Sequence, residues 1–128
     1  MPTFPVVTGD VLTSTIFNGL PAFAVQTAKT ADYTATTGDE YQQLIPMNKA
    51  TAIAFKIPTD ATYAFPVGTV ITVLNIGVGT CTISAVTPGT TTVLSAGGTA
   101  ASPTLAQYKS AACIKTAANA WYVIGAIA

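Results

Sequence analysis

Residues 69–74 and 80–85 carry the strongest pattern in the chain. They are two β-branched runs, TVITVL and TCTISA, parted by the corner Asn75-Ile76-Gly77-Val78-Gly79. Branching at Cβ restricts χ1 in a helix and packs well on a pleated surface. Two such runs joined by a few glycine-bearing residues predict a β-hairpin at the centre of the fold. Elsewhere residues 50–57 alternate, with Ile53, Phe55 and Ile57 on one side and Ala52, Ala54 and Lys56 on the other. Residues 31–37 predict a first strand, residues 37–40 a turn, and residues 41–46 a short strand or edge segment ended by Pro46, which has no backbone donor. Residues 58–66 form a loop that brings Tyr63 and Phe65 over a sheet edge.

After the central hairpin, Pro88-Gly89 marks a turn, residues 91–94 a short strand and residues 95–103 a loop of small residues. Residues 106–116 and 120–127 predict a closing hairpin across residues 117–119. On its first strand Tyr108, Ser110, Ala112 and Ile114 share a face. On its second, Trp121, Val123 and Ile127 oppose Tyr122, Ile124 and Ala126. Both faces of that last strand are apolar, as expected of a strand between two covered surfaces. Short strands, frequent turns and no sustained helical period predict an all-β domain over residues 31–128, a small antiparallel β-sandwich or barrel of jelly-roll-like form.

Residues 1–30 differ. Pro2, Pro5 and Pro21 punctuate them, and they read as an extended arm with one short helical turn capped by Thr13 or Ser14 and stopped at Gly19. Leu12, Ile16, Phe17 and Leu20 share a face of that turn, and with Val11 they are the candidate partner-binding residues. So short an apolar patch builds no core of its own and has to dock on its own domain, on a sister subunit or on a larger scaffold.

Composition sharpens this picture. Of 128 residues 50% are hydrophobic and only 8% charged, with a net charge of zero, against about a quarter charged in ordinary soluble domains. Little self-repulsion keeps such chains apart, so much of the surface is expected to be covered in use. Five lysines, scattered and balanced by five acidic residues, do not form the basic footprint that a phosphate backbone requires, and no nucleic-acid partner is expected. Residues 61–108 hold no charge, but Gly, Thr, Pro and Ser interrupt them too often for a membrane-spanning helix, and the strands are too few for a membrane barrel. The first five residues lack the basic start of a secretory leader. Cys81 and Cys113 either pair as neighbours or stand as two small buried hydrophobes.

The chemistry on offer is sparse. The chain has no His to serve as a general base or metal ligand, and no Ser-x-x-Lys run. Asp32, Asp39 and Glu40 are an acidic cluster at a turn, and Gly97-Gly98 lacks the following Lys of a phosphate loop. No enzymatic activity, cofactor or metal is expected.

An ordered set of short motifs remains: Pro66-x-Gly68-Thr69, the Gly77-x-Gly79 corner, Ile83 on the return strand, Leu105-Ala106-Gln107-Tyr108, Lys115-Thr116, and Trp121 followed by Gly125. Together with the leader GDVLT and LPA near residues 9–22, this set resembles a small β domain of tailed-bacteriophage virion proteins. That resemblance implies a non-enzymatic structural protein, most like a capsid decoration (cement) protein. It would be made in the host cytoplasm, seated on the capsid surface as a homotrimer, and bound to the major capsid protein. The alternative it implies is a tail-fibre or head-fibre domain that binds a host receptor or glycan. The glycine loop of residues 97–103 is longer here than the pattern.

Overall fold

Among the described residues nine short strands build two sheets that pack face to face. The computed structural model describes residues 25–40, 44–95 and 102–127. In chain order the strands are β1 (Tyr33–Thr34), β2 (Leu44–Met47), β3 (Ile53–Ile57), β4 (Val70–Asn75), β5 (Cys81–Ala85), β6 (Thr92–Leu94), β7 (Thr104–Leu105), β8 (Lys109–Ala117) and β9 (Ala120–Gly125). Sheet A has the order β2-β4-β8-β9-β6 and sheet B the order β1-β3-β5-β7. The arm and its candidate binding residues Val11, Leu12, Ile16, Phe17 and Leu20 lie outside the described residues, as does most of the loop at 95–103. Val25 and Lys29 are bridged to Leu44 and Met47, so sheet contacts begin ahead of residue 31.

The all-β sandwich expected from the sequence is borne out, but its antiparallel, jelly-roll-like order is not. The pairs β1–β3, β2–β4, β3–β5 and β6–β9 are parallel. The central hairpin is corrected too. β4 belongs to sheet A and β5 to sheet B, so the corner between them carries the chain across the sandwich. The same is true of β2 and β3. Each pair is an arch, and the second arch lies on the first in parallel register, with Leu44 beside Thr72 on one side and Phe55 beside Ile83 on the other. Residues 25–34 add a partial arch at the start of the stack. At its other end β7 and β8 form an arch of reversed direction, antiparallel to β5 and β4.

The corner explains why a hairpin loses. The Gly77 N–H donates to Asn75 Oδ1, while Asn75 Nδ2 donates to the carbonyls of Gly79 and Leu105. Asn75 is fully buried with these polar atoms paired, as a buried amide must be. Corner backbone groups then bond to the corner below: the amides of Ile76 and Gly77 donate to Met47 O, and that of Gly79 to Lys49 O. The two corners lie so close that a Cβ on Gly77 would sit 2.3 Å from the Lys49 nitrogen, and one on Gly79 would sit 1.9 Å from the Thr51 oxygen. Only glycine permits that approach.

Strand alternation fills the space between the sheets. Ile45, Met47, Ile71, Val73, Cys113, Trp121 and Val123 point in from sheet A, and Ile53, Phe55, Ile57, Cys81, Ile83 and Leu105 from sheet B. Each large side chain so buried contributes about 1.5–3 kcal/mol. Phe65, from the loop before β4, closes one edge with its ring edge-on to both Tyr63 and Trp121, at 4.5 and 5.6 Å. The indole N–H of Trp121 has no hydrogen-bond partner among the described residues. Pro46 does not end its strand. Its carbonyl faces the chain at Lys29, on the side away from β4, so the missing donor leaves the β2–β4 ladder intact.

Gly79→Ala is expected to destabilise the protein by about 3 kcal/mol or more, because both clashing groups are backbone. Gly89→Ala, at a turn with open space around it, is the control and is expected to be near neutral. Urea denaturation of the two variants measures the difference, and equal stability would contradict the stacked-corner geometry.

Candidate functional site

The two outer faces of the sandwich differ in chemistry. On sheet B the outward positions are Thr34, Ala54, Lys56, Thr82, Ser84 and Thr104, an ordinary solvated face. Across sheet A the outward residues align in rows. Val70, Ile114, Tyr122 and Leu94 form one row. Leu44, Thr72, Ala112 and Ile124 form the next, and Pro46, Leu74 and Ser110 the third. None of these side chains is charged. Tyr122 and Val70 are each 37% exposed and Ile124 is 53% exposed, while Pro46 at the β2 edge is buried, so the face is apolar and most open over β4, β8 and β9. It arises because the outward positions of β4, β8 and β9 are as β-branched or aromatic as the inward ones. The sequence reading of β9 as apolar on both sides is borne out: Trp121 and Val123 are buried while Tyr122 and Ile124 face out.

Two polar clusters need weighing against this face. The first sits at the turn before β2. Asp39, 3% exposed, accepts hydrogen bonds from Gln26 Nε2 at 2.7 Å, the Thr36 amide at 2.8 Å and the Tyr33 hydroxyl at 2.9–3.0 Å. Glu40 accepts from the Tyr63 hydroxyl at 3.0 Å and the Gly38 amide at 3.1 Å. Asp32 is engaged elsewhere, taking the Ala54 amide at 2.9 Å. These carboxylates tie the loops together, and the structure brings no three potential metal ligands together among the described residues.

The second cluster fastens the hairpin β8–β9. Lys115, 3% exposed, donates to Asp60 Oδ1 at 2.8 Å and to the Phe65 carbonyl at 2.6 Å. The Asn119 amide donates to Asp60 Oδ2, and the Asp60 amide to Asn119 Oδ1. Asn119 holds a φ of 50° at the turn, a left-handed conformation that Asn tolerates. A buried lysine with both a counter-ion and a carbonyl is a satisfied structural cation, and it holds the 58–66 loop against β8.

The two cysteines are free and buried, on β5 and β8 in opposite sheets. Burial pushes the Cys113 thiol up to about 12, with a further rise from Cys81. It pushes Cys81 up to about 11, opposed by a backbone hydrogen bond at Phe55. Protonated and enclosed, they are poor nucleophiles. The Tyr33 hydroxyl is raised to about 12 by burial, then by its hydrogen bond to Asp39 and that group's charge.

The residues of the ordered motif set are spread over the frame. Gly77 and Gly79 are the close corner, Ile83 and Trp121 are in the core, and Lys115 is the buried cation. Thr69 turns the chain into β4 through its hydroxyl bond to Pro66 O. Tyr108, at φ 64°, tops the reversed arch and is 75% exposed. What sequence reasoning missed is the single apolar outer face. The outward half of the closing hairpin was legible, but not that β2 and β4 extend it. Comparison with family models, with curated proteins and with solved structures finds no match for this chain.

Two outcomes are expected. Asp60→Ala leaves the Lys115 ammonium buried without its counter-ion and is expected to lower stability by about 3 kcal/mol; a denaturation midpoint equal to wild type would contradict the fastening role. The second concerns alkaline pH. Tyr33, Cys81 and Cys113 keep their protons in the folded chain at pH values where the unfolded chain has lost them. Their stabilising contribution is therefore complete below about pH 9 and lost as pH rises towards 12. Urea midpoints measured between pH 8 and 12 are expected to fall, and less steeply in Tyr33→Phe; a flat profile would contradict the assignment.

Proposed function

We propose that this chain is a non-enzymatic structural protein of a tailed-phage virion, decorating the capsid and stabilising it by clamping coat subunits. The observation that carries the reading is the uncharged, apolar outer face of sheet A on a frame whose polar groups are used internally. A frame of stacked arches resists deformation, and its free chemistry is adhesive. The sequence resemblance to phage virion β domains supplies the setting, the capsid surface, to which a protein made in the host cytoplasm would be added.

In this account the sandwich is a rigid knob, expected as a homotrimer seated where coat subunits meet. The arm reaches neighbouring major capsid protein through Val11, Leu12, Ile16, Phe17 and Leu20. Binding the assembled shell in preference to free subunits favours the shell by mass action, and several linked feet hold more firmly than one. No nucleic acid, membrane, metal or cofactor has a part in it.

A second reading, a fibre domain that binds a host receptor or glycan, draws on Tyr108 and Val78. These are 75% and 73% exposed at two corners of the arch stack, and an aromatic ring there offers a stacking surface for a sugar.

The test is the copy number of the chain relative to the major coat protein in purified particles. A ratio approaching one to one is expected. A few copies per particle would support the fibre reading, and absence from particles would overturn both. For the arm, Leu12→Asp with Phe17→Asp in the full chain is expected to abolish binding to capsids while leaving the melting temperature unchanged. Undiminished binding would remove the arm from the account.

A further inference from the structure

We infer that the outer face of sheet A is where a second copy of this chain packs, sheet against sheet about a symmetry axis. The inference names a partner for the face on which the assembly reading rests, and it does not need the capsid setting. An antiparallel or mixed sheet with one covered face normally solvates the other, giving apolar-in, polar-out alternation. Sheet B follows that rule, with Thr34, Lys56, Thr82 and Ser84 turned outward. Sheet A breaks it at Val70, Ile114, Tyr122 and Ile124. The contrast lies within one molecule, so composition alone does not explain it.

Charge and shape select the occupant. Among the described residues the face has no charged side chain, so a charged partner surface would be desolvated with no opposite charge in return. A second sheet A presents an equally uncharged surface with the same twist, and sheets of like twist stack face to face about 10 Å apart. Tyr122 stands beside Ile114 and Leu94 in one row, an aromatic anchor of the type enriched in interface centres. The outward rows cross at most four strands, so at about 4.8 Å per strand they span about 19 by 20 Å and two copies bury on the order of 800 Å², the size of a weak, transient contact. The association is therefore reversible and dependent on concentration.

Sedimentation velocity of the full chain over a range of concentrations tests this. The wild-type chain is expected to shift to a larger species as concentration rises. Ile124→Lys is expected to weaken that shift by about tenfold or more in dissociation constant, with the emission of the one tryptophan, Trp121, unchanged. Thr82→Lys, on the outer face of sheet B, is expected to associate as wild type does. If Ile124→Lys alters the Trp121 emission, Tyr122→Ser decides in its place. A wild-type chain that stays monomeric throughout overturns the inference. So does association insensitive to these substitutions, or equally sensitive to Thr82→Lys. Association that depends on Ile124 in a chain absent from particles would remove the capsid reading and leave this one standing.

Discussion

The close approach of two chain corners sets the architecture. Where residues 76–80 cross from one sheet to the other they lie directly on residues 48–52, with no room for a Cβ at Gly77 or Gly79. That contact makes the second arch repeat the path of the first, so β4 lies parallel to β2 and β5 parallel to β3. Once the arches are in register, inward residues of successive strands stack in rows and the core follows. Asn75 is the polar counterpart of the same constraint. Its amide closes its own corner and reaches Leu105 O in the reversed arch, so one buried side chain joins two levels of the stack.

The polar groups that might have suggested chemistry serve this frame. Asp39 and Glu40 are held by tyrosine hydroxyls and backbone amides, and Lys115 is neutralised by Asp60 against the Phe65 carbonyl. Among the described residues an apolar, extended surface stands apart from that frame: one face of sheet A. Function on this account is adhesion by a stiff body, in which the inward half of each strand makes the sandwich and the outward half of sheet A makes the contact.

Strand positions were largely legible in the sequence because period-2 alternation depends on local burial. Ile53, Phe55 and Ile57 alternate as expected, and the hairpin β8–β9 turns at residues 118–119, one residue shorter than the expected 117–119. Sheet membership was not legible. A glycine corner between two β-branched runs reads the same whether the runs pair with each other or with strands from an earlier arch. What decides between them is the backbone of Lys49 and Thr51, which lies 28 residues before Gly77 and Gly79 respectively and leaves no local signature at the corner. The outer face was half legible for the same reason: the apolar outward positions of β9 stood out, but their alignment with Val70 and Leu44 follows from pairing order alone.

The most direct measurement is a cryo-EM reconstruction of the particle that carries this chain, at a resolution that traces strands. The account predicts sheet A buried against sheet A of a neighbouring copy, with the Thr82 and Ser84 face of sheet B turned to solvent. A reconstruction with the Tyr122 and Ile124 face open to solvent, and copies that do not touch through it, would contradict the account at its centre.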